Sequence, residues 1–387
     1  MAQRTQPLYE TIKNDIRDAI RSGRYAPGDR IPSTRELCEV HSASLVSVRR
    51  AVKDLSKEGV LRGENGRGVF VQNMPVATAR HTATPAQADR VIIGVWNAVI
   101  DENIVHIQEG MTRFASEQGM GIELYSGNPD ELLPLQQMAA RGIPGAIIFG
   151  NSHPSYVESL QALIHQGFHF VSVDRSIDAL PLHVVASDHY GGALLATAHL
   201  LRHAGMAVHY LGVEDESSAA SERQAGYRDA MSRAGFSQAD IAQLIHRINI
   251  DFANSSTWQP DDLRRLHQQP VLQILRHIEA PTCIFCQNDY VAQGVYDAAQ
   301  ELGAIVGHDL FLVGYDDLTF ARRLHPSLSS VRQDFTMIGY RAAALLDDLI
   351  RGDLPKNSPP VQMKIPVELV HRESSVKTAN AGVAGSN

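Results

Sequence analysis

The first seventy residues change from a helical to an alternating hydrophobic pattern. Four apolar residues recur at helical spacing after Ser44, namely Val48, Ala51, Val52 and Leu55. This spacing predicts an amphipathic helix that buries one face. The opposite face carries Leu45, Arg49, Arg50 and Lys53. Because cationic side chains bind phosphates and base edges, we expect this face to contact nucleic acid.

Two shorter patterns predict further helices on the amino-terminal side. Ser33 stands three residues before Glu36, which is the spacing of a capping box, and it predicts a short helix that ends at Val40. An earlier helix, closed by a Pro27-Gly28 turn, is predicted from the helical spacing of Tyr9, Ile12, Ile16 and Ile20. The three helices could share one small core.

After Gly59 the pattern becomes that of a β-hairpin. Val60-Leu61 and Val69 to Val71 flank an Asn65-Gly66 turn signal. Two helices that cross at a short turn, followed by a two-stranded wing, predict an α+β winged helix-turn-helix. In that fold one helix enters the major groove.

These residues resemble the GntR family of bacterial winged-helix regulators over about the first seventy positions. The matching motifs are GRYAPGDRIPSTREL from Gly23, VRRAV from Val48 and GRGVFV from Gly66. The resemblance implies that Arg35, Arg49 and Gly66 contact DNA. The full set of predicted DNA-binding residues is Arg35, Ser44, Leu45, Ser47, Arg49, Arg50, Gly66 and Arg67.

Leu45 departs from the family pattern, in which many members have arginine at this position. Leucine cannot make the bidentate contact that arginine makes to guanine, but it can pack on a thymine methyl group. We therefore expect an operator sequence that differs from the usual one.

Residues 91–313 alternate between apolar strands and amphipathic helices. Strands are predicted at 91–95, 121–125, 146–149, 170–173, 208–212, 243–250, 282–285 and 310–313. Helices are predicted at 105–118, 130–141, 155–165, 191–203, 221–234, 260–275 and 289–302. This order predicts an α/β domain of doubly wound parallel sheets. There are too many units for one ordinary sheet, so we expect two similar lobes with a ligand cleft between them.

The pattern predicts four segments. They are a DNA-binding domain at 1–72, a linker at 73–90 rich in Ala, Thr and Pro, a two-lobed α/β domain at 91–374, and a disordered tail at 375–387.

The net charge of −8 becomes informative when it is divided between these segments. Residues 1–72 contain 13 Lys and Arg against 9 Asp and Glu, a balance of +4, and the remainder balances to −12. The positive charge is concentrated where DNA is expected.

Several other classes of protein are disfavoured. The chain has three cysteines, which is too few for a disulfide framework, and Cys283-x-x-Cys286 reads as two small residues of a buried strand rather than a metal or redox site. The chain also lacks a signal peptide and any membrane-spanning run, so we expect a cytoplasmic protein without membrane contact.

An enzyme is the main alternative from another class. An aminotransferase-like domain would need a lysine for pyridoxal phosphate, but the downstream chain has only Lys356, Lys364 and Lys377. There is also no glycine-rich phosphate loop, nucleophile elbow or metal cluster. We therefore expect no catalysis and no cofactor.

The segment from Val91 to Ser374 resembles the effector domain of the LacI/GalR family, which is like periplasmic sugar-binding proteins. The motifs, in chain order, are FVSVDR from Phe170, RQAGY from Arg223, PTCIFCQND from Pro281, VGYDD from Val313, PSLSSVRQDF from Pro326 and VELVHRES from Val367. The resemblance implies two lobes crossed by three strands, and a homodimer.

The same resemblance implies an effector site at the ends of strands. Its polar clamp is Arg223, Asn288 and Asp316, joined by Asp174 and Gln333. Planar side chains of this kind can each bind adjacent hydroxyl groups of a sugar. Three further residues with weaker support are Trp258, which could stack on the sugar or simply pack, and Trp96 and Asn97, which follow from position alone.

Two polar residues of the site keep an alternative structural interpretation. Asp317 could be a helix cap instead of a ligand group, and Arg223 could form a salt bridge between the lobes.

The sequence therefore predicts a DNA-binding transcriptional regulator, most simply a repressor. Its partners would be a palindromic operator, a second copy of the chain and a small effector such as a sugar. A nucleoside or another polyol is an alternative effector. The alternative function is a winged-helix protein whose C-terminal domain is enzymatic or purely dimerising.

Overall fold

The structure is a computed structural model in which the chain divides into two compact units, Met1–Ala79 and Arg80–Asn387. The described residues are 9, 12–13, 15–16, 25, 29–41, 43–57, 61–64, 68–71, 91–96, 102–126, 143–150, 154–215, 217–250, 260–354 and 358–376. The predicted linker, the predicted helix at 130–141 and most of the predicted tail lie outside them.

The first unit contains two of the three predicted helices and the predicted wing, while most of the predicted helix from Tyr9 to Ile20 lies outside the described residues. Its elements are α1 (Thr34–Val40), α2 (Leu45–Lys57), β1 (Leu61–Glu64) and β2 (Gly68–Val71). The capping box is present, because Ser33 N donates to Glu36 Oε2 at 2.6 Å and Glu36 N donates to Ser33 Oγ at 3.3 Å. Ile31 N also donates to Val69 O, which joins the chain before α1 to the wing.

One small core holds this unit together. The predicted inward face of α2 is buried, and Val69 of β2 packs against the core that it forms. The buried core residues are Ile12, Ile16, Ile31, Leu37, Val48, Ala51, Val52, Leu55 and Leu61. The predicted outward residues Leu45, Arg49, Arg50 and Lys53 are exposed.

The second unit consists of two lobes, each built on a six-stranded sheet. Lobe 1 has the strand order β13-β7-β6-β5-β3-β4, and lobe 2 has β14-β12-β11-β10-β8-β9. The strands of lobe 1 are β3 (Val91–Trp96), β4 (Gly121–Ser126), β5 (Gly145–Phe149), β6 (His169–Val173), β7 (His183–Ser187) and β13 (Gln362–Ile365). Those of lobe 2 are β8 (Val208–Val213), β9 (Ile245–Ile248), β10 (Thr282–Cys286), β11 (Leu310–Asp316), β12 (Ser329–Arg332) and β14 (Glu368–Val370).

Helices cover both faces of each sheet. In lobe 1 they are α3 (Glu102–Glu117), α4 (Pro154–His165) and α10 (Phe335–Arg351). In lobe 2 they are α5 (His189–Ala204), α6 (Ser218–Arg233), α7 (Gln238–Gln243), α8 (Pro260–Leu275) and α9 (Asp289–Leu302), with 3-10 turns at Thr319–Arg323 and Glu373–Ser375. The two lobes and their parallel sheets confirm the predicted fold class. One detail differs, because β14 pairs antiparallel with β12 at the edge of lobe 2.

The chain crosses between the lobes three times. The crossings follow β7 at Asp188, β12 at Gln333-Asp334 and β13 at Pro366-Val367. Asp188 N donates to Ile365 O at 2.9 Å, so the first and third crossings are hydrogen-bonded to each other. This is the three-strand junction that the family resemblance implies.

Several elements of the junction were absent from the predicted pattern, among them β7, α10 and β13. The helix α10 belongs to lobe 1, although the strand before it belongs to lobe 2. It packs on α3 through apolar residues that include Ile107, Met111 and Ile338.

The disordered tail was predicted to begin at residue 375, but that residue is folded. Ser375 is buried, with 1% of its surface exposed, and its hydroxyl lies 2.7 Å from Ser329 Oγ. The folded chain therefore extends to at least Ser375. Within the described residues, the helices are all too short or too polar to cross a membrane.

The contact between α3 and α10 depends on two glycines. A Cβ atom at Gly110 would lie 1.9 Å from Thr336 O, and one at Gly339 would lie 1.9 Å from Ile107 O. Both neighbours are backbone atoms, so the helices would have to move apart to admit a side chain.

We therefore expect Gly110→Ala to lower the stability of the second unit by about 1–3 kcal/mol or more, because the added methyl group separates two packed helices. Calorimetric melting of the full chain measures the loss. Ser116→Ala, at an exposed position of the same helix, is the control and should melt as the wild type does. An unchanged melting temperature for Gly110→Ala would contradict the packing described here.

Candidate effector cleft and DNA-binding surface

The exposed face of α2 is mixed in character. Arg49 is exposed, and the apolar side chains of Leu45 and Val46 are 41% and 77% exposed beside it. Arg35, on α1, is also exposed. Exposed apolar groups next to arginines suit a surface that contacts both thymine methyl groups and phosphates.

The other predicted DNA-binding residues differ in their surroundings. Ser44 begins α2, since Ser47 N donates to Ser44 Oγ at 3.2 Å and the two hydroxyl oxygens lie 2.9 Å apart. Arg50 stacks on the ring of Tyr9, with 4.0 Å between the guanidinium carbon and the ring centroid. Gly66 and Arg67 lie outside the described residues.

Arg223 lies at the centre of the predicted effector clamp. Its side chain projects from α6 and is 9% exposed. Its Nη1 donates to Gln287 O at 2.7 Å, its Nη2 to Asp316 Oδ1 at 3.4 Å and its Nε to His189 Nδ1 at 3.4 Å. The guanidinium also lies 3.9 Å from the ring centroid of Tyr315. Burial alone would lower the pKa of Arg223, but Asp316, Tyr315, Asp174 and Tyr210 together outweigh it and raise the pKa.

Asp316 and Gln333 form the side of the clamp nearest the second crossing. Asp316 ends β11 with a positive φ of 106°, and its Oδ1 accepts from Gln333 Nε2 at 2.6 Å. Gln333 is 6% exposed, and its Oε1 has no hydrogen-bond partner among the described residues. A buried acceptor of this kind requires a donor, which a ligand hydroxyl group can supply.

Asp174 belongs to lobe 1 and lies at the end of β6. It is 6% exposed and has a φ of 66°. Its Oδ2 accepts from Arg175 Nε at 3.3 Å, whereas its buried Oδ1 has no hydrogen-bond partner among the described residues. Burial acts to raise the pKa of Asp174, but His189, Arg175 and Arg223 lower it well below its ordinary value. Asp174 is therefore an ionised acceptor facing lobe 2.

Asn288 has a structural role in addition to the predicted one. Its Oδ1 accepts from Val291 N at 2.9 Å and caps α9. The preceding residue, Gln287, supplies the carbonyl that binds Arg223, which places Asn288 next to the clamp. Trp96 is the last residue of β3 in lobe 1. Asn97 and Trp258 lie outside the described residues.

Asp317 is neither a helix cap nor an available ligand group. Its side chain is fully buried, and three arginines surround it: Arg332 Nε at 2.8 Å, Arg372 Nη2 at 2.6 Å and Arg322 Nη2 at 3.5 Å. Its φ of 54° belongs to the turn after β11. Both alternatives considered for Asp317 are therefore replaced by a buried ion-pair cluster.

A cavity of about 350 Å³ adjoins the clamp between the lobes. Asp316 and Gln333 line it from the junction, Arg322 and Arg332 from lobe 2, and Asn103 and His106 from lobe 1. At its edge, the Glu102 carboxylate accepts from Thr319 N and Thr319 Oγ1, which connects the lobes. The lining is mostly polar, with donors and acceptors on both sides.

Cys283 and Cys286 are fully buried in β10 but point to opposite faces of the sheet. Cys283 packs with α5 and α6, and Cys286 packs with α8 and α9. Burial raises the pKa of Cys283 to about 12. Thiols on opposite faces of a sheet cannot share a ligand, which supports their interpretation as core residues.

Asp289 binds the turn after β11, next to the clamp residue Asp316, and the sequence did not predict this role. Its side chain is fully buried, its Oδ2 accepts from Leu318 N at 2.8 Å and its Oδ1 accepts from Ser330 Oγ at 2.7 Å. It therefore fixes the turn that presents Asp316. A Cβ at Gly314 would lie 2.1 Å from Asp289 Oδ1, so only glycine leaves room for this carboxyl group.

Burial, with Asp316 nearby, raises the pKa of Asp289 well above its ordinary value of 3.8. A raised folded-state pKa means that protonation favours the folded chain, so this contribution is complete at acid pH and is lost as pH rises through the folded-state pKa. Asp289→Asn cannot lose a proton. We expect its melting temperature, relative to the wild type, to rise as pH increases from 4 towards alkaline values.

The exposed variant Asp348→Asn should show no such trend across the same buffers. A constant difference between the wild type and Asp289→Asn at every pH would mean that the Asp289 carboxyl group does not titrate as its surroundings require.

Comparison with known proteins gives matches for both units. Residues 8–71 match the bacterial regulatory proteins of the gntR family, and residues 197–375 match the periplasmic binding protein-like domain. An arabinose metabolism transcriptional repressor from Geobacillus stearothermophilus is 27% identical over 379 residues, which are 90% of this chain and 93% of that protein.

Solved structures share the fold of the second unit. A LacI family transcriptional regulator from Enterococcus faecium with bound ribose superposes with a TM-score of 0.60 at 21% identity, covering 75% of this chain and 100% of that one. The lac repressor dimer bound to operator and an anti-inducer gives a TM-score of 0.61 at 21% identity, covering 76% and 96%.

The fold, the matched domains and the relatives define a DNA-binding transcriptional regulator rather than an enzyme. More particularly, residues 8–71 match the gntR family, residues 197–375 match the periplasmic binding protein-like domain, and the structural neighbours are LacI-family regulators, which confirms the two resemblances that the sequence predicts.

Proposed function

We propose that this regulator is a cytoplasmic repressor that binds a palindromic operator as a homodimer. A small sugar that binds between the lobes lowers or raises its affinity for the operator. The observation that carries the proposal is the buried Gln333 Oε1 at the junction, which has no hydrogen-bond partner among the described residues. Beside it in lobe 1 is the buried Asp174 Oδ1, which accepts no hydrogen bond from the described residues and lies 3.4 Å from His189 Nε2. Both belong to the predicted clamp.

The clamp residues suit a polyhydroxylated ligand. Three of the five N–H groups of Arg223 contact described residues, which leaves two donors for ligand oxygens. Asp174 and Gln333 supply acceptors for hydroxyl hydrogens. A sugar carries both kinds of group on adjacent carbons, so it can satisfy donors and acceptors of the clamp together.

Ligand binding would act on the lobes because the clamp spans them. Closure around a sugar would change the angle between the lobes and hence the spacing of two winged helices in a dimer. A coupling of about 1–3 kcal/mol would change operator affinity by roughly 5–150-fold. Names of relatives and neighbours suggest the first sugars to test, which are arabinose, ribose and cellobiose.

The sugar proposal is tested by melting the full chain with L-arabinose, D-ribose, cellobiose, a sugar phosphate and adenosine. A ligand present at about 100 times its Kd adds roughly 2.7 kcal/mol of stability, which raises the melting temperature. We expect one sugar to do so.

Asp316→Asn should lose most of that shift, because the amide weakens the hydrogen bond to a hydroxyl group and removes the counter-charge of Arg223. Asp348→Asn, on the exposed face of α10, is the matched control. If no compound raises the melting temperature, the sugar proposal fails, and a purely dimerising second unit becomes the better interpretation.

The operator proposal is tested by selecting duplexes from a random library and measuring their affinity by fluorescence anisotropy. We expect an inverted repeat, because a homodimer presents two identical α2 helices. Arg49→Ala should weaken binding by about 1–3 kcal/mol, roughly 5–150-fold. Arg341→Ala removes the same charge from the second unit and should have little effect. A selected sequence without inverted symmetry would contradict the dimeric mode of binding.

A further inference from the structure

His189 occupies a rigid position at the junction of the lobes. It is the first residue of α5 and follows Asp188, where the chain first crosses between lobes. The Asp188 side chain accepts from Gly191 N at 2.9 Å, and Asp188 N donates to Ile365 O at 2.9 Å. With 1% of its surface exposed, His189 is held on all sides.

The His189 ring connects two residues of the proposed clamp that belong to different lobes. Its Nε2 lies 3.1 Å from the backbone oxygen of Asp174 and 3.4 Å from Asp174 Oδ1. Its Nδ1 lies 3.4 Å from Arg223 Nε. The ring therefore contacts lobe 1 through one nitrogen and lobe 2 through the other.

These contacts are compatible with one tautomer of the ring. The Nε–H group of an arginine can only donate, so Nδ1 of His189 must be the acceptor. The ring hydrogen is then on Nε2, which donates to the carbonyl of Asp174. This donation is made to a residue whose backbone is left-handed, with a φ of 66°, which residues other than glycine rarely adopt.

Arg223 would be less constrained without the ring. Tyr315 contacts one face of the guanidinium, Gln287 O and Asp316 bind its two outer nitrogens, and His189 binds the inner one. Because all three nitrogens are bound, the guanidinium plane cannot rotate without breaking a hydrogen bond. The two remaining N–H donors of Arg223 therefore keep a fixed direction.

We propose that His189 is a positioning residue of the effector site, which orients Arg223 for the ligand and couples that orientation to Asp174 across the lobes. The inference rests on the proposed sugar-binding function. It assigns two separable tasks to the two ring nitrogens, namely ligand affinity to Nδ1 and communication between the lobes to Nε2.

Two substitutions each retain one of these contacts. In His189→Asn, the amide oxygen can take the place of Nδ1 and accept from Arg223, but the contact to Asp174 is lost. In His189→Gln, the amide nitrogen can take the place of Nε2 and donate to Asp174, but the contact to Arg223 is lost. His189→Ala loses both contacts, and Tyr190→Phe, whose hydroxyl donates to Asp229 on the surface, is the control.

The experiment measures two quantities for each full-length variant. Calorimetric titration with L-arabinose, D-ribose and cellobiose gives sugar affinity, and anisotropy with the selected operator gives the factor by which sugar changes operator affinity. A hydrogen bond to a charged group accounts for about tenfold or more in affinity, so we expect His189→Gln and His189→Ala to bind sugar at least about tenfold more weakly. His189→Asn should bind within about threefold of the wild type but should lose most of the effect of sugar on operator affinity.

Melting temperatures separate positioning from folding, because a purely structural role would weaken all three variants in proportion to their loss of stability. Equal sugar affinity in the wild type, His189→Gln and His189→Ala would overturn the inference and leave the proposed function intact. A wild type that binds none of the three sugars would overturn the proposed function, and the inference would fall with it. Loss of affinity in Tyr190→Phe would also count against the assignment to His189.

Discussion

Burying the guanidinium of Arg223 would cost several kcal/mol without partners, and the junction of the two lobes supplies those partners. The carbonyl of Gln287 follows β10, the imidazole of His189 begins α5, and the carboxylate of Asp316 and the ring of Tyr315 both belong to β11. None of these groups can move far without leaving a buried charge unpaired. The position of the charge therefore constrains the ends of β6, β10 and β11 and the starts of α5 and α9.

The need to place the partners of Arg223 accurately also explains why buried polar groups surround the turn after β11. Asp289 holds the turn after β11 from below, and Asp317 is surrounded by three arginines within that turn. These interactions fix the backbone of Asp316 at a positive φ. The apolar layers on both faces of each sheet supply the stability, while the polar groups specify where the clamp residues are placed.

Local sequence patterns predicted the features that depend on neighbouring residues. The capping box of Ser33 and the buried stripe from Val48 to Leu55 involve contacts within one or two helical turns, so spacing alone identifies them. The ends of most strands and helices were predicted within a few residues for the same reason. The motifs from Arg223 onwards also located groups that the structure brings together, namely Arg223, Asp316 and Gln333.

Features that depend on distant contacts were not predictable in this way. His189 gives no signal in the sequence, because its role arises from residues 15 and 34 positions away. Asp317 was predicted to be a helix cap or a ligand group because it stands next to Asp316. Its partners in fact include Arg372, 55 positions later in the chain. Asn288 was assigned to the ligand alone, although the helix that follows also requires its side chain. Elements at the junction such as β13 were missed because they form strands only by pairing with distant parts of the chain.

The order of the elements also affects how this chain acquires its fold during synthesis. Lobe 1 contains β3 and α3 from the beginning of the second unit, but it is completed by α10 and β13, which come from the end. A ribosome must therefore produce nearly the whole chain before lobe 1 can close its sheet and cover α3. The core that the described residues of the winged-helix unit form lies between Ile12 and Val69, so this unit can fold while the rest is still being made. A nascent chain would thus have a folded DNA-binding unit before it has a complete sensor, and the apolar face of α3 would stay exposed until residues 335–365 emerge.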